Sequence, residues 1–74
     1  MKEVLVGRKY RHFKGQEYLV EGIATHSETG EKLVVYRALY GEKELFVRPV
    51  ELFLSPVDKI KYPNVMQKDR FELI

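Results

Sequence analysis

The order of apolar and polar positions along the chain predicts short β-strands separated by tight turns. The clearest strand spans residues 33–40, where β-branched and aromatic residues dominate. Both faces of this strand are largely apolar, so we expect it to lie in the middle of the sheet and to be covered on both sides. The same pattern predicts four more strands, at 9–13, 17–26, 45–48 and 71–74, the last as an edge strand. Residues 3–6 fit either a strand or a packed tail.

Glycine and proline positions divide these strands. Gly22 stands inside the second strand, where a glycine is typical of a bulge or a sharp bend. Pro49 ends the fourth strand and opens one helical turn, whose Leu52 and Phe53 should pin it to the core. Residues 55–70 are expected to be loop-like.

Short strands with tight turns and no long helix predict a mainly β fold. At this length the expected form is a small SH3-like barrel of about five strands with one short helical turn. We expect a single domain over residues 1–74. Closure of the barrel would limit exposed strand edges.

Composition narrows the chemistry. The chain of 74 residues has no cysteine, which excludes a disulfide, a thiolate nucleophile and a sulfur-based zinc site within it. No apolar run approaches the roughly 18 residues needed to span a bilayer, so no membrane partner is expected. We expect a cytoplasmic protein that is a monomer or a weak dimer.

Charge is nearly balanced overall, with a net charge of +2, but it is unevenly distributed. Residues 4–16 contain no acid, and His12 stands among their cations. This segment predicts either a basic patch or an ordinary solvated strand face. Its cations are Arg8, Lys9, Arg11 and Lys14.

Arg37 is the most unusual charged residue, because it stands in the middle of the most apolar strand. A buried arginine needs a partner, and Glu21 or Glu51 would supply a carboxylate. Arg48, just before Pro49, is a similar case. These arginines are interpreted either as structural bridges that clamp the helical turn to the sheet or as anion-reading groups on the barrel mouth.

The two histidines, His12 and His26, offer a weak metal-site pattern if Glu28 or Glu51 joins them. Their spacing does not require this, so hydrogen-bonded structural histidines are favoured, and no metal or cofactor is expected. A nucleophile formed by His26, Ser27 and Glu28 is disfavoured, because neighbouring strand residues point to opposite faces. Ser27 is expected to cap the turn instead.

Aromatic residues offer a candidate groove for a peptide or for stacked bases. Each tyrosine is still more often a core residue with its hydroxyl near the surface. About two of the five groove candidates are expected to be accessible. The candidates are Tyr10, Tyr18, Tyr36, Tyr40 and Phe46.

Several blocks of the chain resemble the bacterial domain-of-unknown-function 1653 family. The blocks lie in the family's order at 10–15, 26–29, 34–41 and 47–49, with Glu51 and Phe53 following. The similarity runs from Gly7 to Phe53 and resumes at Phe71. It implies a small bacterial β-barrel domain and brings no assigned activity, substrate or cofactor. Phe46 stands where the family often has Trp, and Leu52 where it often has Met.

The favoured function is a binding module that recognises a protein segment through an aromatic and arginine face, with no enzymatic activity. A nucleic-acid partner is less favoured, because a net charge of +2 is weak for nucleic-acid affinity. The sequence also leaves open a small metal-dependent enzyme, and an oligomerisation unit with an apolar patch near Phe46, Leu52 or Phe53. The candidate ligand-binding residues are Tyr10, Arg11, His12, His26, Tyr36, Arg37, Arg48 and Glu51.

Overall fold

A computed structural model describes residues 3–74 as one antiparallel sheet with a single short helix. Along the sheet the strands lie in the order β4-β3-β2-β1-β5. Each strand begins and ends within two residues of the bounds that the sequence pattern predicts. The elements are β1 (Lys9–His12), β2 (Glu17–Thr25), β3 (Lys32–Ala38), β4 (Leu45–Pro49), α1 (Val50–Phe53) and β5 (Phe71–Leu73).

The sheet is open in the described part of the chain, because β4 and β5 each pair with one neighbour only. The prediction of a mainly β fold with about five strands and one helical turn is therefore confirmed, whereas barrel closure is not observed. Side chains nevertheless meet across the gap between the two edge strands. The guanidinium carbon of Arg48 on β4 lies 5.8 Å from the ring centre of Phe71 on β5.

A bulge in β2 accompanies the curvature of the sheet. The register of β2 against β3 shifts between Val20 and Gly22, which confirms the irregularity predicted at this glycine. The extra residue, Glu21, has no backbone position paired with it on β3. A bulge bends its strand and increases the local twist, which helps the sheet to wrap around its inner face.

The core lies on this inner, concave face. Its centre is Phe53 of α1, whose ring stacks on Phe71 with centres 4.2 Å apart and planes 6° apart. The rings of Tyr10 and Tyr36 meet Phe53 edge-on at 5.3 and 5.4 Å. The buried apolar residues are Tyr10, Tyr18, Val20, Val34, Tyr36, Ala38, Phe53, Val57 and Phe71.

The outer face of β3 is not covered, which corrects the expectation that both sides are buried. Val34, Tyr36 and Ala38 are buried on the inner face, while Leu33 and Val35 on the outer face remain half-exposed. β3 is interior to the sheet, with a strand on each side, but among the described residues only the inner face carries a packed layer.

Leu52 does not pin α1 to the core as expected. Its side chain is 50% exposed, whereas the neighbouring Phe53 is completely buried. A single helical turn presents only one face to the sheet, so adjacent residues cannot both reach the core.

Residues 55–70 form a loop, as predicted, with only an isolated bridge between Pro56 and Asp69. The loop is tied to itself: the Val57 N–H donates to the Lys68 carbonyl at 2.9 Å, and Val57 is buried. Residues 3–6 form a packed tail instead of a strand, and the Leu5 N–H donates to the Tyr10 hydroxyl at 3.0 Å. Across residues 3–74 no helix is long and apolar enough to cross a membrane.

Candidate functional site

Four basic side chains lie near one another on the concave side, and we call them the basic cluster: His12, Lys14, Arg48 and Arg70. Each comes from a different part of the fold. His12 ends β1 opposite Phe71, Lys14 follows in the next turn, Arg48 lies on β4 and Arg70 immediately precedes β5. Alternation along the antiparallel strands places His12 and Arg48 on the same face as the buried core.

Arg48 is held from beneath by the core. Its Nε donates to the Tyr36 hydroxyl at 3.2 Å, and Tyr36 itself is buried. Its guanidinium lies over the ring of Phe71, at a distance typical of a cation–π contact. The side chain is half-buried, and among residues 3–74 it is fixed through Nε alone, which leaves its two terminal nitrogens for other partners.

Arg70 is fixed in the same manner. Its Nε donates to the Ser55 hydroxyl at 3.1 Å, and its backbone N–H donates to the Ser55 carbonyl at 2.9 Å. The Ser55 hydroxyl in turn donates to the carbonyl of Leu52 at 2.6 Å. These bonds connect Arg70 to the end of α1.

His12 lies between these cations in an aromatic setting. Its ring stacks on Phe13 at 4.4 Å and meets Phe71 edge-on at 5.0 Å. Burial lowers the pKa of His12 from 6.5 to about 4, and the nearby charges of Arg48, Arg70 and Lys14 act in the same direction. The imidazole is therefore neutral at pH 7. Because its Nδ1 accepts the Lys14 N–H at 3.1 Å, Nε2 carries the proton.

A tyrosine pair continues this face away from the cluster. The hydroxyls of Tyr18 and Tyr40 are 2.9 Å apart, and Tyr18 packs edge-on against Phe46 at 6.3 Å between ring centres. Burial, followed by the bond to Tyr40, raises the pKa of Tyr18, so it stays a neutral phenol. Tyr40 is 45% exposed and Phe46 is half-buried. Of the five predicted groove aromatics, Tyr10, Tyr18 and Tyr36 are buried in the core.

Two members of this face were missed by sequence reasoning. Tyr62 packs against Phe13 with ring centres 4.9 Å apart, and the Lys14 ammonium lies 5.6 Å from the Tyr62 ring. Arg70 was also missed. Both lie in the segment 55–70, whose apolar pattern gives no periodicity, and their positions depend on contacts distant in sequence.

Two of the predicted arginines lie elsewhere, on the outer face, and each has a carboxylate partner. Arg11 pairs with Glu17 at 3.5 Å, and Arg37 pairs with Glu21 at 2.8 Å. Arg37 also donates to the Lys43 carbonyl at 3.0 Å. It is half-exposed instead of buried, and its partner is the bulge residue Glu21, so it braces the sheet and does not clamp the helical turn.

His26 lies far from His12. His26 immediately follows the last residue of β2. The His12 N–H donates to the carbonyl of Gln16, which immediately precedes the first residue of β2, so the length of β2 separates the two histidines. The His26 Nδ1 accepts the backbone N–H groups of Glu28 and Thr29 at 3.2 and 3.4 Å. The expected cap by Ser27 is thus supplied by His26. Within residues 3–74, no group of three or more His, Asp or Glu side chains is placed to hold a metal ion.

Glu51 is exposed and lines a shallow depression of about 310 Å³ with Glu31, Lys32 and Pro49. A second depression, of about 390 Å³, lies beside Tyr10 and Phe71 and carries acidic side chains. These acids are Glu3, Asp69 and Glu72. The predicted site residues therefore divide: His12, Tyr36 and Arg48 come together, whereas Arg11, His26, Arg37 and Glu51 lie apart from them.

Comparison with known proteins agrees with the sequence resemblance. The model of the DUF1653 family, described as a protein of unknown function, matches residues 8–73. The chain belongs to the DUF1653 family. A crystal structure of a DUF1653 family protein from Bordetella bronchiseptica is similar to it, with a TM-score of 0.78 and 30% sequence identity. The match covers 95% of this chain and 87% of that one.

No curated protein matches this DUF1653 chain. The family description assigns no activity, so function is inferred from the basic cluster and the aromatic face beside it.

Proposed function

We propose that this DUF1653 chain is a non-catalytic binding module that recognises a protein segment through the basic cluster and the neighbouring aromatic side chains. Arg48 carries the proposal: it is anchored to the Tyr36 hydroxyl, half-buried over Phe71, and has no carboxylate partner among residues 3–74. Arginine and tyrosine together are typical of the residues that dominate protein recognition sites.

The aromatic residues support a segment of protein as the ligand. Tyr40 and Phe46 keep part of their surface accessible while their rings are fixed by Tyr18. Rigid aromatic groups contribute contact area at a low cost in conformational entropy. The net charge of +2 favours a protein segment over nucleic acid, whose binding needs many phosphate contacts.

A library of displayed random peptides, selected against the purified chain, tests this proposal. Selected peptides should lose about tenfold or more in affinity against Arg48→Gln and Phe46→Ala. Arg37→Gln is the matched control, because Arg37 lies on the adjacent strand but on the opposite face. It should leave the affinity unchanged.

Failure to select any peptide, or equal losses with Arg37→Gln and Arg48→Gln, contradicts the proposal. Binding of an oligonucleotide that is tighter than any peptide, steeply weakened by salt and lost with Arg48→Gln, replaces it with nucleic-acid recognition.

A further inference from the structure

Apart from the exposed Arg8, the arginines of the chain divide into two kinds according to their surroundings. Arg11 and Arg37 on the outer face each pair with a glutamate on β2. Arg48 and Arg70 on the concave side have no carboxylate within ion-pair distance in the described chain. Both are half-buried, where an unpaired charge is more costly than at the surface.

We propose that the guanidinium groups of Arg48 and Arg70 form an anion site that takes a carboxylate of an acidic partner segment. This deepens the proposed function, on which it rests, by naming the chemistry of the partner. Each arginine uses Nε for a fixed hydroxyl, Tyr36 or Ser55. The terminal nitrogens are thereby oriented without being consumed, and a guanidinium fork binds a carboxylate well.

The end of β1 lies near both arginines. The Phe13 N–H donates to the Arg70 carbonyl at 3.0 Å, and the ring of Phe71, opposite His12, lies beneath the Arg48 guanidinium. His12 meets the same ring, and both arginines lie near enough to His12 to lower its pKa. The charges of both arginines therefore act at His12, beside the Phe71 ring.

His12 adds a hydrogen-bond donor without adding a further charge. With Nδ1 occupied by the Lys14 N–H, the neutral ring carries its proton on Nε2. A carboxylate arriving beside the two arginines would raise the pKa of His12, because a nearby negative charge favours the imidazolium form. Occupation of the site is thus expected to leave a titration signature at His12.

The surrounding charges favour a single carboxylate over a polyanion. Glu3, Asp69 and Glu72 line a depression that Phe71 also lines. A nucleic-acid strand carries a phosphate at every step and would meet these carboxylates along its path. A peptide with one acidic group can place that group at the arginines, and the rest of the peptide, being neutral, is not repelled by these carboxylates.

The experiment uses the full chain, labelled with nitrogen-15, and short glycine peptides at low salt. One peptide carries a central glutamate with both ends blocked, a second replaces it with glutamine, and a third has only a free C-terminal carboxylate. The Nε–Hε signals of Arg48 and Arg70 should shift saturably with the glutamate or the free-carboxylate peptide and not with the glutamine peptide. Which carboxylate peptide binds more tightly separates a side-chain acid from a chain terminus.

Arg37 is the internal control, and its Nε–Hε signal should not move. Arg48→Gln should weaken binding of the carboxylate peptide by about tenfold or more. Arg48→Lys keeps the charge but loses the fork, and it should weaken binding less. Circular dichroism spectra that match the wild type confirm that both variants are folded.

The anion site is overturned if neither carboxylate peptide shifts Arg48 and Arg70, or if Arg37 shifts equally. If the Arg48 and Arg70 signals show that inorganic phosphate binds more tightly than both carboxylate peptides, the carboxylate site is also overturned, and the ligand is a phosphate group instead. The proposed function fails separately. Displayed peptides that contain no carboxylate and still lose affinity with Phe46→Ala and Arg48→Gln would preserve the binding module and remove the anion site.

Discussion

Replacement of Phe53 by alanine should remove the ring that packs α1 against β5 and the rest of the sheet. The ring is fully buried, stacked on Phe71 and bounded by the edges of Tyr10 and Tyr36. A buried Phe→Ala change costs about 3–5 kcal/mol, from lost transfer free energy and the cavity left behind. A chain of 74 residues has a total stability of roughly 4–11 kcal/mol at typical values per residue.

Leu52→Ala is the matched control, because it alters the adjacent position of the same helical turn. Its side chain is 50% exposed, so the expected loss is below about 1 kcal/mol. Urea unfolding followed by circular dichroism measures both variants. Phe53→Ala should lower the midpoint by about 1.5 M or more, given a denaturant slope near 1–2 kcal/mol/M.

Equal effects of the two substitutions would refute the reasoning, because they would place both side chains in comparable surroundings. A loss below about 1 kcal/mol for Phe53→Ala would do the same, since no fully packed ring is removed so cheaply. A variant too unstable to fold at all agrees with the upper end of the expected range.

Local features of the fold lead to three further predictions. Between pH 6.5 and about 4, His12 binds a proton in the unfolded chain but not in the folded one, so the free energy of unfolding should decrease as the pH falls. The full pKa difference corresponds to about 3 kcal/mol, and solvent contact at the ring reduces this loss to about 1–2 kcal/mol. His12→Gln should flatten this part of the pH–stability curve in urea titrations, and a curve as steep as that of the wild type would contradict the burial of His12. Glu21→Gln should lower the free energy of unfolding by about 0.5 kcal/mol, and high salt should remove the difference, because the ion pair of Glu21 with Arg37 is exposed to solvent. A difference that persists in high salt would contradict this reasoning. Gly30→Ala should lower the free energy of unfolding, measured by thermal denaturation, by about 1–2 kcal/mol, because the φ of Gly30 is +77°. Gly22→Ala should have little effect, because Gly22 has no such φ and a Cβ there would meet open space. A larger loss with Gly22→Ala would contradict the turn geometry.

The strands and the bulge could be predicted because they depend on local signals. Alternation and β-branched content give β3, and the glycine inside an otherwise regular strand gives the irregularity beside Glu21. The outer-face exposure of Val35 could not be predicted from the same pattern. Apolar residues on both faces of a strand indicate burial only if a second layer exists, and that depends on the whole fold.

The candidate site was only partly predictable, because its members meet through long-range pairing. Arg37 was singled out for standing among apolar residues, yet the pairing of β2 with β3 brings Glu21 to it. Arg70 carried no local signal, and its position beside His12 depends on the pairing of β1 with β5. The residue types indicated which side chains could bind an anion, but the strand pairing determined which of these arginines have a carboxylate partner.

The contact between Arg48 and Phe71 tests the central geometry most directly, because it brings side chains of the two edge strands together across the open side of the sheet. Proton NMR of the wild-type chain measures it. The Arg48 side-chain protons should show nuclear Overhauser contacts to the Phe71 ring and an upfield ring-current shift that Phe71→Leu removes. Arg48 signals at random-coil positions, with no contact to that ring, would contradict the arrangement on which the binding face depends.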